Sequence, residues 1–322
     1  MRVIYLMLLL LTGCSTLHAA NPTPRPVVEL SPEIKAMLAP PASYSFTKLE
    51  TKNNQELWQV ESDSFKLRYR YYRSEGSTNK DLVIIFNILK DKHQAVSDWL
   101  ACNLTQVRYD CLIVQQEDFL SRKKLRPILP DPNEELLDWG AYFAKNFQHL
   151  ALIIKEWIPQ QERLSGNYSF VGISMGGVLA VGAAACFPEA KTSIAVMAGG
   201  DIYQILMESE EKLVRREREM LIERYKKLGI LEPIQAIAAD IEKLDFGILE
   251  ISRCIETHKI KQIISLYDDQ VPTITQWNLN HALGEPETRT YPTGHITLGI
   301  FAWSVRDQII SWLGEAHRNS KP

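Results

Sequence analysis

The chain is 322 residues long, 45% hydrophobic and 23% charged, with a formal net charge of -3. That balance excludes a disordered or collagen-like chain, and dispersed basic residues with no positive excess exclude a nucleic-acid-binding protein. The length suffices for one large core or two small ones.

Met1 to Cys14 holds one arginine, an apolar run from Val3 to Leu11, and then Leu11-Thr12-Gly13-Cys14. The run is too short to span a bilayer and reads as a bacterial export signal. Its last four residues resemble the lipobox of bacterial lipoproteins. The resemblance implies a signal peptide over residues 1–13, cleavage before Cys14 and diacylation of its thiol. Ser15 resembles the pattern for outer-membrane delivery, so the expected location is the cell envelope, anchored by lipid and facing the periplasm. Residues 14–41 carry Pro22, Pro24, Pro26, Pro32, Pro40 and Pro41 and few large apolar groups, which predicts a semi-extended tether ahead of a body over 42–322.

Leu57 to Tyr72 alternates apolar and polar residues, as a strand pair near a sheet edge does. Leu82-Val83-Ile84-Ile85-Phe86 is continuously apolar and predicts a strand buried on both faces. Helical periodicity through Trp99 and Leu104 precedes a second central strand over Tyr109 to Val114, so strand and helix alternate. Arg122-Lys123-Lys124-Leu125-Arg126 reads as a solvated loop, able also to meet anionic headgroups. Asp131-Pro132 starts a predicted helix whose Trp139, Phe143 and Phe147 form a core-facing stripe.

Phe170 and Val171 end a short apolar run, and Val178 to Cys186 is small and aliphatic. A strand should therefore turn directly into a buried helix, with Gly172-Ile173-Ser174-Met175-Gly176 at the joint. Glycines flanking such a turn let two backbones pass closely, while the helix N-terminus favours negative charge beside the serine. That arrangement suits acyl transfer. Thr192 to Met197 predicts a further buried strand. Residues 201–253 then lack strand character and predict a helical cap. Within it, Glu208 to Leu228 reads as one charged helix with Glu208/Lys212, Glu211/Arg215 and Glu223/Lys227 pairs and an apolar stripe of Leu206, Leu213 and Met220. Strand character returns over Ile263 to Tyr267, followed at once by Asp268 and Asp269. A helix over Ile274 to Leu283 leads to His295 on a loop.

Four cysteines remain beyond Cys14: Cys102, Cys111, Cys186 and Cys254. A bridge between Cys102 and Cys111 is feasible in an oxidising compartment but is not fixed by spacing, and no Cys/His pattern has metal-ligand spacing.

The order Ser174, Asp268, His295 on alternating strands and helices resembles the α/β-hydrolase superfamily. Asp268-Asp269-Gln270-Val271-Pro272 is similar to that family's acid loop, and Gly294-His295 to its histidine loop. The resemblance spans residues 42–317 and implies an α/β fold: a mostly parallel central sheet, helices on both faces and a helical cap. It implies catalytic Ser174, Asp268 and His295, an oxyanion donor in the Met175 amide, a second from Asn87 or Ile88, no cofactor and no metal. The family's usual His-Gly after the third strand is replaced by Phe86-Asn87-Ile88-Leu89. The expected activity is carboxylic-ester hydrolysis through an acyl-enzyme, with a small-molecule or lipid ester as substrate. Acyl transfer to an alcohol, peptide hydrolysis, or a silent hydrolase fold serving as an envelope binding protein fit the same residues.

Overall fold

A computed structural model describes residues 16–18, 26–39, 41, 43–62, 65–76, 78–86, 94–114, 146–242 and 247–318. Strand β5 (Lys80–Phe86) is central: Leu82 to Phe86 are buried, and its parallel neighbours are β6 (Asp110–Val114) and β7 (Leu164–Ile173). The run of branched and aromatic side chains serves both faces, because successive residues of a strand point to opposite sides. Leu82, Ile84 and Phe86 join one core, Val83 and Ile85 the other.

Parallel pairing extends from β7 through β8 (Ser193–Val196) and β9 (Ile260–Ser265) to β10 (Glu287–Tyr291). On the far side of β6 the sheet turns antiparallel through β4 (Phe65–Tyr72), β3 (Gln55–Ser62) and β2 (Tyr44–Lys52). Short β1 (Thr16–His18) pairs antiparallel with β10, completing the order β1-β10-β9-β8-β7-β5-β6-β4-β3-β2.

Helices cover both faces. Helix α3 (Met175–Cys186) buries Val178 through Ala185 against one. Helices α2 (Gln94–Gln106) and α9 (Ala302–Arg318) cover the other through Leu100, Leu104, Ile309 and Trp312. Seven residues of α3 are alanine or glycine, facing the sheet's branched side chains, so the helix sits close to β7 and the turn before it is tightly defined.

The stretch expected as a tether contributes to the body. Pro32–Met37 forms α1, capped by Ser31 Oγ accepting from the Ile34 amide at 3.3 Å, and Ile34 and Leu38 enter the core. Two apolar side chains placed one helical turn apart suffice to dock a short helix that proline-rich composition disguises. Cys14, Asn87, Ile88, Arg122 to Arg126 and the helix expected from Asp131 lie outside the described residues. Phe147 of that expected stripe is buried. Cys102 and Cys111 are both free thiols, one exposed and one buried, so the feasible bridge is not formed.

The insertion after β8 is helical as expected, with α4 (Ile202–Glu208), α5 (Lys212–Lys227), α6 (Pro233–Glu242) and α7 (Ile248–Ile251). The single charged helix expected from Glu208 is broken at Ser209. That buried hydroxyl donates to the Gln270 carbonyl at 2.5 Å and accepts from the Glu211 amide at 3.1 Å. Of the expected pairs, Glu223–Lys227 forms at 2.8 Å, whereas Arg215 reaches Glu210 at 3.6 Å and Glu211 accepts from the Val214 amide at 3.2 Å. The apolar stripe is rotated from the expected one: Leu221 and Tyr225 are buried with Leu206 and Ile237 in a separate cluster, and Met220 is exposed. The side chain of Leu213 is not among those described.

Opposite the end of β5 where Phe86 stands, Asp110 gathers the sheet's start. The carboxylate is fully buried and accepts from the Tyr71 hydroxyl, the Ser74 amide and hydroxyl at 2.9 and 2.8 Å, and Arg163 Nε at 2.6 Å. Removing one member of a buried, hydrogen-bonded ion pair leaves the other uncompensated. Asp110→Ala is therefore expected to lower unfolding free energy by about 3–5 kcal/mol in chemical denaturation. Asp307→Ala, on an exposed carboxylate, should stay within about 0.5 kcal/mol. Equal effects from both would contradict this account of Asp110.

Candidate active site

Ser174 follows β7 directly and is the N-cap of α3, at φ 57 and ψ -122. A non-glycine residue at positive φ is strained, typically by about 1–3 kcal/mol, and is held there by its surroundings. Three close approaches do the holding. The Ser174 amide donates to the Val196 carbonyl at 2.8 Å, tying the turn to β8. A Cβ on Gly172 would collide with the Gly176 carbonyl oxygen, and one on Gly177 would lie 2.9 Å from the Ala198 Cβ. Ser174 Oγ makes no capping bond to α3, and the residue is only partly buried.

At the start of α3, the Gly177 and Val178 amides both donate to the Ser174 carbonyl, at 2.8 and 3.2 Å. The Met175 amide has no acceptor among the described residues and stands in the first turn, where helix amides are unsatisfied. It is a donor aimed at the region where an anion beside Ser174 is favoured.

Asp268 and His295 are in contact. The loop after β9 and the loop after β10 are joined by the Tyr267 amide donating to the Thr293 carbonyl at 2.9 Å and by Ser265 Oγ donating to the same oxygen at 2.6 Å. His295 Nδ1 lies 2.8 Å from Asp268 Oδ2. A carboxylate only accepts in this pairing, so Nδ1 carries the proton and the opposite nitrogen, Nε2, is left as the acceptor. The Asp268 side chain is fully buried and that of His295 is 13% exposed, so the pair is largely shielded from solvent and opens only through the histidine. Asp269 is exposed, and its carbonyl accepts from the Glu210 amide of the cap at 2.8 Å.

Two groups that sequence reasoning missed hold Asp268. Its Oδ1 accepts from the Gln270 and Val271 amides at 3.0 and 2.9 Å, closing a tight loop. Its Oδ2 accepts from Gln276 Nε2 at 3.0 Å as well as from His295. Gln276 is wholly buried, donates also to the Val271 carbonyl at 2.8 Å and accepts from the Ser265 amide at 3.2 Å. The only sequence signal for it is a polar side chain in the first turn of α8 (Thr273–Ala282), one turn ahead of the buried Leu279 and Asn280.

Parallel pairing of β7, β8, β9 and β10 brings Ser174, Asp268 and His295 to the same edge of the sheet, beyond its strand C-termini. No hydrogen bond joins Ser174 Oγ to His295 Nε2 among the described residues, the looser arrangement common in substrate-free sites. The second expected oxyanion donor, Asn87 or Ile88, follows β5, whose last residue Phe86 pairs with Gly172. A cleft of about 830 Å³ lies at the other end of β5, lined by Arg73, Lys80 and Arg108 among others, and is not part of this site.

A second Ser–His–Asp group occurs in the fold and is sealed. Ser169 Oγ is 2.9 Å from His317 Nε2, and His317 Nδ1 is 3.1 Å from Asp81 Oδ2. Burial raises the Asp81 carboxyl, but contacts from His317, Ser165 and Asn167 outweigh it and hold the group at about 2. Ser169 is fully buried in the middle of β7 between two sheet neighbours, so no substrate reaches it. This group fastens the end of α9 to the sheet.

No family profile matches the chain, and no curated protein matches it in sequence. Solved structures do resemble it. An acetyl xylan esterase from Paenibacillus sp. R4 superposes with a TM-score of 0.59 at 15% identity, over 87% of this chain and 92% of that one. Acetyl xylan esterase 1 from a Thermoanaerobacterium species gives 0.58 at 12% identity, over 82% and 87%. Est1E from Butyrivibrio proteoclasticus gives 0.53 at 12%, over 80% and 99%. At these identities the likeness concerns the fold. The chain has the α/β-hydrolase fold, with a mostly parallel central sheet, helices on both faces and a helical cap.

Proposed function

We propose that the protein is a serine hydrolase that cleaves a carboxylic ester through an acyl-enzyme, with Ser174 as nucleophile, His295 as base and Asp268 as its orienting carboxylate. The observation that carries this reading is Ser174 held at φ 57 with no capping bond, at the same sheet edge as a 2.8 Å His295–Asp268 pair. Solved neighbours named as esterases favour an ester over an amide.

In the first step Ser174 Oγ bonds to the ester carbonyl carbon as its proton passes to His295 Nε2. The carbonyl oxygen takes up negative charge, met by the Met175 amide and by a second amide assigned to Asn87 or Ile88. Collapse of this intermediate breaks the bond to the alcohol oxygen, which leaves with the proton from His295. Water then gives a proton to His295, attacks the acyl carbon and releases the acid, returning the proton to Ser174. Asp268 stabilises the imidazolium formed in each half, and Gln276 positions Asp268. Neither a metal nor a cofactor has a role in these steps.

We assign the chain to the bacterial cell envelope, held by diacylated Cys14 at the outer membrane and facing the periplasm. The support is Leu11-Thr12-Gly13-Cys14 after an apolar run and Ser15 behind it.

Hydrolysis of 4-nitrophenyl acetate by the purified chain tests the reaction, with Ser174→Ala expected to lose at least about 1,000-fold in kcat. Undiminished hydrolysis by that variant would refute the assignment. Asp268→Asn is expected to lose about four orders of magnitude with its thermal melt nearly unchanged, because the imidazole would settle in the wrong tautomer. Asp269→Asn should stay within about twofold, since its side chain is exposed and, among the described residues, bonds to neither His295 nor Ser174. A crippled Asp269→Asn beside a normal Asp268→Asn would reverse the choice between the two carboxylates.

A further inference from the structure

We propose that the sheet edge bearing Ser174, Asp268 and His295 faces the lipid bilayer, so that the site meets its ester at a membrane surface. The orientation rests on the lipidation of Cys14 read above, and the substrate class it implies rests on the ester hydrolysis assigned to Ser174.

The register of β1 supplies the first argument. Thr16 pairs with Thr290, Leu17 with Arg289 and His18 with Thr288, so the chain enters at the C-terminal end of β10. That is the end from which the loop to His295 departs. Cys14 precedes Thr16 by only two residues in the sequence, and two residues of extended chain span at most about 7 Å. A lipid on Cys14 therefore holds this edge near the bilayer, where a long flexible tether would have left the body free to turn.

The surface at the same edge supplies the second. Tyr267, beside Asp268, is 72% exposed; Ile296, beside His295, is 78% exposed; Ile300 and Trp303, further along the histidine loop and into α9, are 67% and 59% exposed. Ile274, at the start of α8, is half exposed. Singly exposed apolar residues are ordinary, but Tyr267 and Ile296 stand on the two hydrogen-bonded loops that carry Asp268 and His295, and Ile274, Ile300 and Trp303 follow within the helical segments those loops lead into, a concentration of the kind that marks an interaction surface. Its composition suits a bilayer interface: branched aliphatics flanked by tyrosine and tryptophan, which settle at headgroup depth. Arg306 lies over the Trp303 ring at 4.4 Å, a cation next to the aromatic that would stand at that depth. The cap adds Leu231, 96% exposed, on the turn between α5 and α6.

Contact through this patch has a functional consequence. Two acyl chains on Cys14 anchor the chain stably by themselves, and apolar contact from the protein surface adds to that attachment. It also sets the orientation, presenting Ser174 to esters that partition into lipid. The substrate class that follows is an amphiphilic ester held in or on the membrane.

The test uses the full chain carrying its lipid, reconstituted into phosphatidylcholine vesicles whose acyl chains are brominated near the headgroup. Flotation with the vesicles reports anchoring. Quenching of tryptophan fluorescence reports orientation, since Trp303 is the one tryptophan classed as exposed among those described. Trp303→Phe is expected to remove at least about half of the quenching, because an interfacial tryptophan lies within reach of shallow bromines. Ile300→Glu should keep hydrolysis of 4-nitrophenyl acetate in solution but lower hydrolysis of a long-chain ester in vesicles about tenfold. A chain that floats without Trp303-dependent quenching would overturn the orientation and leave anchoring intact. A chain that does not float would overturn both. A dimer in sedimentation that Ile300→Glu converts to monomer, with no quenching, would assign the patch to a second copy of the chain instead. Quenching requires no turnover, so an inactive chain that is quenched would refute the esterase reading, and the substrate class with it, and leave the orientation standing.

Discussion

The close pass of Gly172 against the Gly176 carbonyl is the constraint on which the site depends. β7 can turn into α3 within one residue only if nothing but hydrogen stands at that Cα. With the backbones that close, Ser174 is driven to positive φ, and its amide is drawn to the Val196 carbonyl. The strain is paid by the core behind it: α3 is lined with small residues that pack onto β7 and β8, and the sheet on both sides is buried. The same turn leaves the Met175 amide without an acceptor among the described residues. One steric fact thus accounts for a hydroxyl that the helix does not use and an unsatisfied donor beside it.

The acid and histidine are held by a different device. Asp268 sits in a loop closed by two backbone amides, a buried glutamine and the histidine itself, so its carboxylate has little freedom to turn. Its four donors occupy the lone-pair sites of both oxygens. The sealed group of Ser169, His317 and Asp81 has comparable distances and no access. Distance alone therefore does not distinguish a reactive serine from a structural one. The conformation of the serine and its exposure do.

Much of this was legible in the sequence because it followed from apolar runs and glycine. Leu82 to Phe86 could only be a strand buried on both faces, and the five-residue Gly-x-Ser-x-Gly joint lay between a strand and a small-residue helix. The choice of Asp268 and His295 came from the resemblance of their loops to those of the α/β-hydrolase superfamily, and the position of the cap from the lack of strand character over 201–253. What was missed is mostly polar. β10 reads Glu-Thr-Arg-Thr-Tyr, and its Thr288 is buried because Asn280 donates to it at 2.8 Å, a pairing no periodicity announces. Gln276 looked like one more helix residue, since its role arises from a tertiary contact with a carboxylate eight residues away. Ser209 broke a charged helix that local propensity would have continued, because its hydroxyl reaches the acid loop. Ile34 and Leu38 were hidden by the prolines around them.

The claim that joins these parts is that Ser174, and not any other serine, is activated. Treating the folded chain with a fluorophosphonate at neutral pH and mapping the adduct by peptide mass spectrometry tests it directly, since the reagent phosphonylates a serine only where a base takes its proton. The account predicts one adduct, on the peptide containing Ser174, formed in the native chain and absent after denaturation. An unlabelled native chain, or an adduct on Ser169 or elsewhere, would contradict it.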